Sequence, residues 1–274
     1  MFSDYALFTD LDGTLFNSRG KIAPEDRQAI REFVEKGGLF GVSTGRSAFN
    51  AGPLLKELPI NGWSVVLNGA GAYQYQTKQS RIWNSLDRDV ARTIMYWVQE
   101  NIPEVNVQIC TETDMYFVAE ENYIDREFWR LHQDMIPAKV SELPETEWLK
   151  LLFCAQKPAL EKLRIHMDQA GLLKDMDWVY SNPTYLEFLP KGTSKGSCIE
   201  RLREMGELGD RKIITMGDFY NDIELIRCAD VGVAVGNAVP ELKAAADVVS
   251  CTNDEHAMAW VIRNLIPSLE PVTV

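Results

Sequence analysis

Short apolar runs that alternate with amphipathic stretches constrain the architecture of this chain most. Tyr5-Ala6-Leu7-Phe8 reads as a buried strand and passes into Thr9-Asp10-Leu11-Asp12-Gly13-Thr14, where Gly13 lets the backbone turn. Pro24–Lys36 follows as a helix, with Pro24, Glu25 and Asp26 in its first turn, Ile30, Phe33 and Val34 on one face, and Gly37-Gly38 as its stop. Leu39–Ser43 is a second strand, Ala48–Leu58 a helix whose start Gly52-Pro53 blurs, and Trp63–Leu67 a third strand. The C-terminal part alternates again. Helix Thr193–Met205, capped by Thr193 or Ser194, leads to strand Lys212–Met216, helix Asn221–Cys228 and strand Val231–Val235. Helix Val239–Ala245, strand Val248–Val249 and helix Asp254–Leu265 close the chain. Strands alternating with helices predict an α/β fold with a doubly wound parallel sheet.

The middle reads differently. Asp87–Glu100 is a helix with Val90, Ile94, Trp97 and Val98 as its apolar stripe, and Val105–Cys110 and Met115–Ala119 form a hairpin turning at Thr111–Asp114. Helices fit Tyr123–Met135 and Pro158–Ala170, and strands fit Leu149–Cys154 and Asp177–Ser181. The expectation is an α+β domain over 84–186, inserted into a core domain of 1–83 and 187–274. Its aromatics, Trp97, Phe117, Tyr123, Phe128, Trp129, Trp148 and Trp178, are expected in a core.

Over 274 residues, 28 Lys and Arg against 40 Asp and Glu leave a formal net charge of −12, with no basic stretch. That balance argues against nucleic acid and anionic membrane as partners. No apolar run reaches the length of a membrane span, and Asp4, Asp10 and Asp12 stand where a secretory signal would be basic and then apolar. The cysteines, Cys110, Cys154, Cys198, Cys228 and Cys251, are odd in number and have no C-x-x-C pair. They are expected as reduced, mostly buried thiols of a cytoplasmic protein.

Candidate chemistry sits in four segments. Asp10 and Asp12 lie two residues apart at a strand's end, and side chains alternate along a strand, so both carboxylates are expected to address one point. Such a pair repels unless a cation intervenes, and a hard divalent ion such as Mg²⁺ meets that need; the alternative is an ordinary surface turn. Val42-Ser43-Thr44-Gly45-Arg46 places a hydroxyl and a helix start where a phosphoryl oxygen binds, or merely caps a helix. In Pro190-Lys191-Gly192-Thr193-Ser194-Lys195-Gly196, a lysine in a helix's first turn opposes the macrodipole, so Lys195 suggests a nearby anion, with Lys191 as a surface competitor. In Met216-Gly217-Asp218-Phe219-Tyr220-Asn221-Asp222, Asp218 is placed to ligate a metal. Asp222 is a second ligand or orients one, unless Asp218 or Asn221 simply caps the helix. All four segments lie at the carboxyl edge of the predicted sheet, where doubly wound folds bind ligands. Carboxylates, one lysine, one hydroxyl and backbone amides suit a phosphoryl group, and no Walker glycine loop is present.

Together the segments resemble the haloacid dehalogenase superfamily of phosphohydrolases, most closely its Cof-type branch with a class IIB cap. Asp10 and Asp12 match its D-x-D-G-T motif, Thr44 its T-G-R motif and Lys195 its G-x-x-K-G motif. Asp218, Asn221 and Asp222 match its G-D-x-x-N-D motif, and Asn68-Gly69-Ala70 and Gly236-Asn237-Ala238 resemble further signatures. One departure is Glu255, followed here by His256 and Ala257 where the family usually has Gly. The resemblance implies a Rossmann-like core with an inserted α+β cap that closes over the site. It implies attack on phosphorus by Asp10 and proton transfer by Asp12, with Mg²⁺ held by Asp10, the Asp12 carbonyl and Asp218, and Asp222 a ligand or a neighbour of one. Thr44 and Lys195 would hold phosphoryl oxygens, and Leu11, Gly45, Arg46 and Asn221 would contact a small-molecule phosphate ester. A phosphomannomutase-like phosphomutase and a catalytically silent metabolite-binding regulator are the competing expectations.

Overall fold

The computed structural model describes residues 2–118 and 135–269. Five of the expected strands pair in parallel: β1 (Tyr5–Thr9), β2 (Leu39–Val42), β12 (Lys212–Gly217), β13 (Val231–Ala234) and β14 (Val248–Val249), numbered in chain order throughout. Their order is β14-β13-β12-β1-β2. β1 runs in register with β12 on one side, Thr9 opposite Met216, and with β2 on the other, Thr9 opposite Val42. The chain therefore winds outward from β1 in both directions, which makes the carboxyl end of β1 the topological switch point. Every residue of β1 is buried, as both faces of a covered parallel sheet require. The helix Pro24–Glu35 covers the sheet with Ala29, Ile30 and Phe33, and its stop before Leu39 falls as the glycine pair predicts.

The third predicted strand, β3 (Ser64–Val66), touches this sheet through one parallel bridge, Ser43 to Val65, but its own ladder is antiparallel, in a separate sheet β3-β4-β5. Strands β4 (Gly71–Gln74) and β5 (Gln79–Ile82) have no counterpart in the sequence expectation. Beyond the buried Gly71-Ala72, their residues are mostly polar and half-exposed or exposed, so they lack the apolar signal by which strands are read. The expected closing helix from Asp254 is also interrupted. Asn253–Glu255 form a 3₁₀ turn, and His256 adopts a left-handed conformation (φ +65°) before the helix Ala257–Trp260 begins. Histidine tolerates this region better than most residues, so the missing Gly leaves the turn intact.

Two compact units divide the chain: Met1–Arg81 with Ser194–Val274, and Ile82–Thr193. The second unit contains a six-stranded sheet ordered β10-β11-β9-β6-β7-β8. Its strands are β6 (Asn106–Cys110), β7 (Met115–Val118), β8 (Ile136–Ala138), β9 (Lys150–Cys154), β10 (Met176–Asn182) and β11 (Tyr185–Pro190). β11 pairs with both β9 and β10, so the expected boundary at Leu186 falls inside a strand that belongs to this unit. Helices Arg88–Asn101 and Lys157–Gln169 supply Ala91, Ile94, Met95, Val98, Leu160, Leu163 and Met167 to one core with Leu151, Phe153, Leu186 and Phe188. Asp87 caps the first helix, accepting from the Asp89 and Val90 amides. Trp148 and Phe117 are buried as expected, whereas Trp178 is 43% exposed, its face taken by the Arg164 guanidinium rather than by a core. Tyr123, Phe128, Trp129 and, but for Met135, the expected helix Tyr123–Met135 lie outside the described residues.

Trp148 should anchor the second unit. It is fully buried and donates from Nε1 to the Pro144 carbonyl at 2.9 Å. Trp148→Ala is expected to destabilise that unit by roughly 3–5 kcal/mol, as large-to-small core changes do. Hydrogen exchange should show lost protection in β6 and β9 while β1 and β12 stay protected.

Candidate active site

Asp10 is the first residue past β1, Asp218 the first past β12, and Thr44 lies two residues past β2. Lys195 opens the helix Lys195–Glu204, whose N-cap Ser194 accepts from the Ser197 amide. The sheet thus delivers its chemistry to one edge. Lys195 has no exposed surface, and its Nζ donates to Asp10 Oδ1 and to Asp222 Oδ1, each at 2.6 Å. The other Asp222 oxygen accepts from the Asp218 amide at 3.0 Å and the Phe219 amide at 3.3 Å. Asp218 Oδ1 accepts from the Thr14 hydroxyl at 3.0 Å. Gly13 faces that carboxylate: its φ is +83°, and a Cβ there would stand 2.4 Å from Asp218 Oδ2.

Asp10, Asp218 and Asp222 each present one carboxylate oxygen within 4.8 Å of the others. Burial pushes the Asp10 carboxyl well above the usual carboxylate range, Lys195 opposes that, and the Asp222 and Asp218 charges reinforce it. Burial and the Asp222 charge likewise push Asp218 up to about 7. Burial works to lower the Lys195 pKa, but the Asp10 and Asp222 carboxylates outweigh it and hold the ammonium charged. Three buried or half-buried carboxylates therefore cluster beside one ammonium, which bonds to two of them.

Asp12 does not join them. β1 ends at Thr9, so strand alternation no longer applies two residues beyond Asp10, and the expectation of two carboxylates aimed at one point fails there. The Asp12 side chain is 56% exposed and is gripped by Arg46, whose Nε and Nη2 donate to its two oxygens at 2.7 Å each. The other predicted residues scatter in role. Thr44 is buried, and its hydroxyl accepts from the Arg46 amide at 3.1 Å. Gly45 packs on the Asn68 amide group, where a Cβ would sit at 3.1 Å. The Leu11 side chain is wholly buried in the core, which leaves only its backbone for a ligand. Asn221 Nδ2 donates to Asn68 Oδ1 at 3.0 Å.

Residues without an assigned role in the sequence reading complete the edge: Thr14, Asn68, and Asn237, whose Nδ2 donates to the Gly13 carbonyl at 2.8 Å. Each lies inside a motif that the sequence displays, so position was legible where contact was not. All five cysteines are free. Burial raises the thiols of Cys110 to about 11 and of Cys228 to about 12, which leaves them poor nucleophiles at neutral pH.

A family model described as haloacid dehalogenase-like hydrolase matches residues 7–262. The chain belongs to the haloacid dehalogenase-like hydrolases. It is a phosphoric monoester hydrolase of the Cof-type branch. A 5-amino-6-(5-phospho-D-ribitylamino)uracil phosphatase of Bacillus subtilis is 29% identical over 273 residues, covering 94% of each chain. The HMP-PP phosphatase of Serratia proteamaculans is 25% identical over 245 residues, covering 85% of this chain and 84% of that one. A haloacid dehalogenase-like hydrolase from Bacteroides thetaiotaomicron superposes with a TM-score of 0.79 at 25% identity, over 95% of this chain and 98% of that one. A subclass IIB sugar phosphatase, BT4131, shares the fold with the same TM-score at 20% identity. Phosphatases of this family generally use Mg²⁺, and the three-carboxylate cluster has the oxygen donors such an ion takes. Among the described residues no helix is long and apolar enough to cross a membrane.

The raised carboxyls set a pH dependence for the metal-free protein. Asp218 titrates near 7 when folded and near 4 when unfolded, so folding favours its proton. That contribution is fully present below about pH 4 and is lost as pH rises through about 7. In chelator, urea unfolding from pH 5 to 8 should therefore show a downward contribution of up to roughly 1.4 kcal/mol per pH unit for one proton. Asp218→Asn should flatten that slope; an unchanged slope would assign the effect elsewhere.

Proposed function

We propose that this enzyme is a Mg²⁺-dependent phosphatase of small phosphorylated metabolites that works through an aspartyl-phosphate on Asp10. One observation carries the proposal: three clustered carboxylates at the sheet's switch point balanced by a single buried ammonium. With all three ionised, two negative charges would stand in excess, and burial magnifies their cost. A divalent cation matches that excess, and an all-oxygen donor set suits a hard one. Asp10 and Asp218 are the side chains to hold it. Asp222 has both oxygens already engaged, so it orients Lys195 and the Asp218 loop instead. The ion would supply charge stabilisation to the transferring phosphoryl group.

This chain's residues divide the remaining work. Asp10 forms a bond from a carboxylate oxygen to phosphorus as the bond to the leaving oxygen breaks. Lys195 favours the ionised Asp10 against the pull of burial and offsets phosphoryl charge, and the Thr44 hydroxyl, with a proton free to donate, holds a phosphoryl oxygen. Asp12 protonates the leaving oxygen, then takes a proton from the water that cleaves the acyl phosphate and releases inorganic phosphate. For that, Asp12 has to let go of Arg46, so the Arg46 pair is a resting arrangement. The relatives' names indicate the substrate class: phosphate esters and anhydrides of small, polar, nitrogen-bearing or sugar-like metabolites.

Asp10→Asn should abolish phosphate release from every ester while far-ultraviolet circular dichroism stays native. Asp12→Asn should slow release by roughly 10²–10⁴-fold, the usual worth of general acid–base catalysis. Near-wild-type turnover by either variant removes that residue from its role. Excess chelator should silence the enzyme, Mg²⁺ should restore it, and Ca²⁺ should compete without supporting turnover, because it prefers more ligands at longer distances. Full activity in chelator refutes the metal requirement.

A further inference from the structure

The turn Leu67–Ala70 lies between three of the four chemical segments and belongs to none of them. Its backbone is unusual. Leu67, Asn68 and Gly69 have φ of +51°, +54° and +98°, three left-handed residues in succession, and the first two are not glycine. Such outliers persist only where surrounding contacts over-determine them. Here the contacts run in three directions. The Leu67 amide donates to the Arg46 carbonyl at 3.0 Å and the Asn68 amide to the Thr44 carbonyl at 3.1 Å, so the turn grips the Thr44–Arg46 loop. Gly69 lies against the start of the Lys195 helix, where a Cβ would stand 1.9 Å from the Ser194 carbonyl oxygen. Asn68 Oδ1 takes the Asn221 amide at 3.0 Å, one residue before Asp222. The Asn68 side chain is almost wholly buried. By engaging Nδ2, it also fixes the Asn221 amide with Oδ1 buried and lacking a protein partner, a polar atom left over for a ligand or water.

We infer that Asn68 is a positioning residue for the reaction: through Asn221 and the Thr44–Arg46 backbone, it sets the spacing between the phosphoryl-holding loop and the metal-holding loop. This rests on the proposed phosphatase chemistry, although its consequences for binding do not need turnover. A glycine at 68 accepts the left-handed backbone without strain and removes only the amide, which separates the side chain's role from that of the fold. An aspartate keeps an oxygen acceptor for Asn221 and also tolerates the left-handed region.

The test compares Asn68→Gly, Asn68→Asp, Asn221→Ala and the double variant Asn68→Gly/Asn221→Ala in the full chain. Asn68→Gly should stay folded in chelator and melt modestly below the wild type, since the Asn221 Nδ2 loses its acceptor. It should lower kcat/KM by about 10–100-fold and raise the half-saturating Mg²⁺ concentration, as loss of a group that orients ligands does. The melting-temperature increase produced by Mg²⁺ with inorganic phosphate should shrink in Asn68→Gly and recover in Asn68→Asp. The double variant should be no worse than the worse single one, because both remove the same contact. Wild-type stabilisation by Mg²⁺ and phosphate in Asn68→Gly, or losses that add in full in the double variant, overturns the inference. A wild-type chain that hydrolyses no ester refutes the phosphatase chemistry alone, since the melting shifts still report on Asn68.

Discussion

One buried ammonium between two buried carboxylates holds the working edge of this molecule together. Lys195 arrives on a helix start, Asp10 at the end of the central strand and Asp222 in the turn after a neighbouring strand. Removing Lys195 would leave both carboxylates without their buried counter-charge, which costs far more than losing a surface pair would, whereas removing one acid leaves the lysine its other partner. The strand order serves this contact. β1 lies between β12 and β2, so the ends of all three strands open at one place, and the chain can bring residues 10, 195 and 222 into hydrogen-bond distance without a long loop. Even so, the pairing is incomplete: the acids outnumber the lysine, and that excess is what the proposed cation would meet.

Much of this was legible before any coordinates. The apolar runs from Tyr5, Leu39, Lys212 and Val231 became parallel strands because largely buried strands leave a dense signal, and the short, part-exposed run at Val248 joined them at the sheet's edge. Lys195 announced its partner by standing where a helix dipole disfavours a cation. What stayed hidden was either polar or geometric. β4 and β5 carry Tyr73, Gln74 and Arg81 in half-exposed positions and Gln79 in an exposed one, and β11 hides its alternation behind a buried Glu187 that pairs with Lys150 at 3.0 Å. Asp12 was misplaced for a different reason: the strand stopped one residue before Asp10, and no sequence pattern marks that stop to within a residue.

Backbone strain is concentrated rather than spread. Among the described residues, the non-glycine residues with positive φ are Leu67, Asn68, Lys78 and His256. Two of these adjoin the site. His256 lies in the turn whose Asn253 amide donates to Asn237 Oδ1, and Asn237 in turn holds the Gly13 carbonyl. His256 also faces acids, with Nδ1 3.8 Å from Asp26 and Nε2 3.9 Å from Glu25. A residue commonly glycine in this family is thus replaced by one of the few side chains that tolerate a left-handed backbone, so the loop keeps the turn that a glycine would give it.

The second unit leaves the first at Arg81 and returns at Ser194, one residue before Lys195. Both margins are anchored from within the first unit. Arg81 donates to Glu207 at 2.6 Å and stacks 4.3 Å over Trp63, while Ser194 caps its own helix and abuts Gly69. Lys195 is therefore registered by contacts within the first unit and not by the segment spliced in ahead of it. The consequence is one of tolerance: the seam is closed by contacts within the first unit, so the start of the Lys195 helix keeps its cap and its neighbour whatever the length of the segment between Arg81 and Ser194.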